Sequence, residues 1–171
     1  MNATFAKTFC WGLLCGILLL TAGTLTESQA AEIGEFKGTW VANGTRKPFA
    51  FSEDRKIYTF EISGYVNLQT DLGKKSDYWS TCVGFADTVT GMTARCVWKD
   101  LDGPEIYITL KSDRMQSDDQ VTGIIVGGTD HLEGISGNLS FAWLTVTVQK
   151  EAGAESVTAQ TLNLSGTYRM P

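Results

Sequence analysis

The chain has 171 residues, with 14 Lys and Arg against 19 Asp and Glu, for a formal net charge of −5. Nucleic-acid binders need clustered cations to displace counterions, and the local basic group Arg46-Lys47 is only two residues long, which reads as a solvated strand edge and argues against that class. The length suits one ordinary domain with a real core, and no linker, low-complexity tract or internal repeat divides it.

The N-terminus reads as an export signal. Lys7 supplies a small positive charge, residues 11–20 form the apolar run WGLLCGILLL, and Ser28 and Ala30 are the small residues before a cleavage point after Ala30, with Ala31 the neighbouring alternative. The run is about half of the roughly 20 apolar residues that span a bilayer, and no later segment reaches that length. The expectation is a cleaved signal over 1–30, no membrane span, and an exported mature domain over 31–171, periplasmic or secreted. Cys10 and Cys15 leave with the signal, and Leu14 before Cys15 breaks the pattern of a lipid-anchor site.

The rest of the chain is rich in strand signals. Segments 37–42 and 47–52 read as two strands separated by Asn43-Gly44. Residues 56–66 alternate, with Tyr58, Phe60, Ile62 and Val66 on one face and Thr59, Glu61 and Ser63 on the other. A turn follows at 71–75. Segments 79–87 and 92–100 are then joined by Thr88-Val89-Thr90-Gly91 as a hairpin, and Asp102-Gly103-Pro104 makes the next turn. Residues 105–111 put Ile106, Ile108 and Leu110 on one face, with Glu105, Tyr107, Thr109 and Lys111 opposite. Segments 121–126 and 139–148 are apolar on both faces, which predicts partial cover on their outer side. After Gly153 comes 157–169, with Leu162, Leu164 and Tyr168 sharing a face. About nine short strands without crossover helices predict an all-β fold, a single antiparallel barrel of eight or nine strands, since closure removes exposed edges.

Cys82 and Cys96 are equidistant from position 89, the centre of the hairpin, so their sulfurs face each other across neighbouring strands. An even pair in an exported chain favours a disulfide. Closing a loop of about 15 residues is worth roughly 3 kcal/mol in the chain-entropy model, somewhat less here because the hairpin is already local. The rival redox reading lacks a C-x-x-C spacing and a neighbouring His.

Residues 127–137, GGTDHLEGISG, combine four glycines with Asp130, a residue tolerant of positive φ, and predict a tight irregular turn between strands. The G-x-G-x-x-G order and a following helix are both missing, so a dinucleotide site is not read here. The stretch resembles the GGTG-x-[FY]-x-G-x-x-G segment of the barrel superfamily that includes allene oxide cyclases and plant dirigent proteins. Gly127, Gly128, Thr129, Gly134 and Gly137 fill the pattern, with Asp130 in place of a glycine and Leu132 in place of the aromatic. The likeness extends to small exported bacterial proteins of unknown function: a Gly38-Thr39-Trp40 start, a C-V-G-F-x-D strand at 82–87 and an R-C-V-W-x-D-x-D-G hairpin at 95–103. It implies an eight-stranded barrel with the glycine segment as a structural hairpin, and no known activity. The Gly-x-Trp start is also similar to that of lipocalins and avidins, ligand-binding barrels whose later motifs find no match here.

Candidate chemistry is sparse. His131, flanked by Asp130 and Glu133, has the makings of a general base, yet the trio lies in a turn, where short polar residues are at home. Asp100, Asp102 and Gly103 resemble a calcium-loop fragment, but that register puts Trp98 and Thr109 where ligands are required. One His beside a disulfide leaves too few ligands for zinc, so no metal and no cofactor are expected. Asn43, Asn138 and Asn163 begin glycosylation triplets that matter only in a eukaryotic secretory pathway.

The aromatics carry more weight. Trp40, Tyr58, Phe60, Trp79, Phe85, Trp98, Phe141 and Trp143 either fill the barrel or line a cavity open at one end. On 79–87, Trp79, Val83 and Phe85 share one face and Cys82 the other with Ser80 and Gly84; the inward face stays open. The leading expectation is a non-enzymatic barrel that binds a small apolar or amphipathic molecule. The alternatives are a filled-barrel interaction protein and an isomerase or cyclase-like enzyme. The enzyme needs a carboxylate or Tyr inside, whereas the alternation turns Glu61 and Glu105 outward. Oligomeric state is left open.

Overall fold

The computed structural model describes residues 31–171 except 102 and 115–118, and leaves out the side chains of 146 and 151. The signal over 1–30 and Asp102 of the calcium reading lie outside the described residues.

Eight strands form one closed antiparallel barrel in sequence order. They are β1 (Ile33–Ala50), β2 (Lys56–Thr70), β3 (Lys75–Asp87), β4 (Gly91–Asp100), β5 (Glu105–Ser112), β6 (Gln120–Gly128), β7 (Ser136–Glu151) and β8 (Ala154–Arg169), with β8 pairing back onto β1. A short 3-10 turn, Asp130–Leu132, interrupts the β6–β7 connection. The expected period of two holds: Tyr58, Val66, Ile106, Ile108 and Leu110 are buried, while Thr59, Glu61 and Lys111 face water. Asp130 takes a φ of 54°, as the irregular turn requires.

Four expectations are corrected. Segments 37–42 and 47–52 are one strand, not two, because Asn43 and Gly44 pair with Ser63 and Ile62 on one side and with Thr158 and Val157 on the other. A Cβ at Gly44 would lie 2.0 Å from the Glu61 carbonyl oxygen, so this glycine allows a close strand approach rather than a turn. Arg46 is consequently no edge residue: it pairs in register with Phe60 and Glu155, and its Nε donates to Glu155 Oε2 at 2.6 Å.

Leu162 does not share the face of Leu164. Asn163, at φ 56°, is an extra residue in β8 relative to both neighbours, which inverts the alternation and leaves Thr161 and Leu164 buried with Leu162 outside. Finally, the outer face of β6 is uncovered. Ile124 and Val126 are 54% and 57% exposed, because a single closed sheet has no second layer to shield them.

Cys82 and Cys96 are register partners joined by a disulfide, with a Cα–Cα distance of 4.1 Å. Both are buried, so the bond lies inside the barrel and sets which face of β3 points inward.

Candidate functional site

The interior is filled at its waist. Trp40 is fully buried, its backbone N–H donates to Thr161 Oγ1 at 2.8 Å, and its ring meets Trp98, Phe141 and Trp143 at centroid distances of 6.0, 5.8 and 4.7 Å. The β8 bulge places Thr161 for that bond; regular alternation would have placed a leucine there. The disulfide, Ser80, Val66, Ile108 and Leu164 complete the layer.

Each end of the barrel opens into a cavity. The end where β1 begins and β8 finishes, the termini end of the barrel, holds one of about 520 Å³, walled by Phe36, Leu68, Tyr78, Trp98, Ile106, Ile125, Ile135, Tyr168 and Met170. Its rim carries Glu32, Lys74, Lys75, Asp100 and His131. Trp98 is 1% exposed, and its indole Nε1–H has no acceptor among the described residues. The Trp40 Nε1–H is orphaned in the same way. A buried donor without a partner costs about 1–3 kcal/mol, and both indole nitrogens are closed off from the cavity space by the packing of the rings.

Tyr78 stacks at a tilt on Trp98, with centroids 6.3 Å apart. Burial pushes the Tyr78 phenol up; a hydrogen bond with Ser76 opposes this, and the Asp100 charge adds to it. Burial likewise raises the Tyr168 phenol, helped by the charge of Glu32, to which its hydroxyl donates at 3.2 Å. At neutral pH these are uncharged donors, so the cavity wall offers hydrogen bonds without titrating.

The opposite cavity, about 340 Å³, is walled by Tyr58, Phe60, Ile62, Met92, Val121 and Trp143. Arg46 covers the Tyr58 ring at 4.5 Å while paired with Glu155. Beside this mouth, Arg55 of the β1–β2 turn holds the buried Asp87, with Nε 3.1 and 3.0 Å from the two carboxylate oxygens, and Val89 N–H donates to the same group at 2.8 Å. Together they hold the Asp87 carboxyl well below the usual carboxylate range, Arg55 contributing most.

The eight aromatics singled out in the sequence therefore divide by place. Trp40 and Phe141 lie in the waist, Trp98 walls the terminal cavity, and Tyr58, Phe60 and Trp143 wall the opposite one. Trp79 and Phe85 are 46% and 45% exposed on the outer face and join neither cavity, because Ser80, Cys82 and Ala86 take the inner face of β3. Phe36, Tyr78 and Tyr168 were missed. Counting in twos from Trp40 and from Cys82 would have placed Phe36 and Tyr78 inside, once the inner face was known.

Glu61 is exposed, and Glu105 accepts from the Tyr107 hydroxyl at 3.1 Å on the outer wall, so both carboxylates stay outside as the alternation predicted. His131 is exposed on its turn. Among the described residues no group of three or more His, Cys, Asp or Glu is placed to hold a metal. No protein-family model matches this chain, and no curated protein does either.

Proposed function

We propose that this β-barrel is an exported, non-enzymatic binding protein that takes a small amphipathic molecule into the cavity at the termini end. One observation carries the reading: a mostly apolar cavity of about 520 Å³ with charged groups only at its rim. That size falls within the usual range for small-molecule sites. The ligand has an apolar body that lies against Phe36, Ile106, Ile125 and Ile135, and a polar group that meets the rim of Glu32, Lys74, Lys75, Asp100 and His131. Export is supported by the disulfide, which persists in oxidising compartments. The closed eight-stranded barrel is what kinship with the allene oxide cyclase and dirigent-like superfamily would imply, and that kinship belongs to the proposal.

Native mass spectrometry of protein purified from its own host, followed by solvent extraction, tests the reading. A reproducible co-purifying molecule is expected. Replacing Met170, half-buried on the apolar wall, by Ala removes contact area and weakens binding of that molecule by about tenfold. A clean apo mass, with no shift against a lipid and metabolite extract, sinks the proposal. It would favour the second reading, a filled-barrel interaction protein, for which the exposed Trp79, Phe85 and Tyr65 on the outer wall already speak.

A further inference from the structure

The outer face of β1, β2 and β3 carries an aromatic pair, an amide–carboxylate pair and two lysines in successive rows. Tyr65 and Trp79 are register partners, 52% and 46% exposed, and their rings meet edge to face at 5.2 Å and 89°. Moving from this pair toward the termini end, the next outward row across the three strands is Thr39, Asn67 and Asp77, with Asn67 Nδ2 donating to Asp77 Oδ1 at 2.7 Å. The row after that is Lys37, Gln69 and Lys75. These two polar rows line an open groove of about 840 Å³, bounded on its far side by Asn163 and Ser165 of β8. Lys37 and Lys75 make no ion pair among the described residues, although the chain as a whole is acidic.

We infer that this face binds an oligosaccharide bearing carboxylates. A pyranose ring presents a face of C–H bonds that lies against the negative face of an aromatic ring, and Tyr65 and Trp79 offer two such rings in water. Its hydroxyls are paired donors and acceptors, which Asn67 and Asp77 match with the capacity left after their mutual bond. Its carboxylates meet Lys37 and Lys75 in charge-assisted hydrogen bonds. An oligomer is needed because aromatic pair, amide row and lysine row follow one another across three successive outward rows. The inference does not rest on the interior cavity, with whose rim this face shares Lys75.

Isothermal titration calorimetry of the whole protein, with tetragalacturonate as the acidic probe and cellotetraose as the neutral one, tests it. Tetragalacturonate binds, more weakly as salt rises, and cellotetraose binds about tenfold less well. Trp79→Ala weakens tetragalacturonate by about tenfold or more. The double variant Lys37→Gln and Lys75→Gln brings the acidic probe down to the level of the neutral one. These positions are exposed, and circular dichroism checks that the barrel is intact. No heat with tetragalacturonate, or equal binding by Trp79→Ala, overturns the inference. A concentration-dependent dimer that Trp79→Ala abolishes, without sugar binding, also overturns it and assigns the face to a second copy of the chain.

Discussion

Asp87 is a buried carboxylate at the last position of β3, tolerated because Arg55 and the Val89 N–H satisfy it. Its folded-state pKa is depressed, so the stability it adds is present above the unfolded value of about 3.9 and is lost as pH falls below that. Asp87→Asn should lower the urea midpoint at neutral pH, and the gap to the parent protein should narrow below about pH 4; a gap independent of pH would show that packing, not charge, is what matters there. Trp40 is the other decisive residue, fully buried and touching three aromatic rings. Trp40→Ala is expected to cost about 3–5 kcal/mol in chemical denaturation, since no neighbouring element can collapse into the waist.

At the scale of elements, the β3–β4 hairpin is closed by Thr88-Val89-Thr90-Gly91 and by a disulfide that faces the interior. Mass spectrometry of the unreduced protein should find it two hydrogen atoms lighter than the reduced form; two thiols open to alkylation without reductant would contradict the pairing. Replacing both cysteines by alanine should destabilise by about 2–3 kcal/mol, somewhat below the full loop-closure value because the hairpin is local. Being buried, the bond should resist reductant under native conditions and yield once the barrel unfolds. The bulge at Asn163 matters as much for β8, since it turns Thr161 inward to accept the Trp40 backbone N–H. Asn163→Val, a β-branched residue with no tolerance for positive φ, should destabilise by about 1–2 kcal/mol, whereas Asn163→Gly should cost little.

For the whole molecule, closure decides what the side chains can do. Eight strands in a ring remove the edges, fill the waist with Trp40 and its neighbours, and leave room at both ends. It also leaves an outer wall with no second layer, on which Ile124, Val126, Trp79 and Tyr65 meet water. The sequence by itself determined the all-β class, the turns after β2, β3 and β7, the disulfide and the inward faces of β2 and β5, because alternation, turn residues and cysteine spacing are local properties of the chain. Only the tertiary structure decided that Gly44 continues a strand, since the reason lies in the backbone of β2. It also decided that Leu162 faces out and that Trp79 and Phe85 leave the interior. On β3, where both faces carry apolar residues, alternation tells which residues share a face but not which face is inside; that sign is set by ring closure and by where the disulfide comes to rest. Cavities at the two ends are likewise a property of eight strands taken together, so no single segment of sequence could announce them.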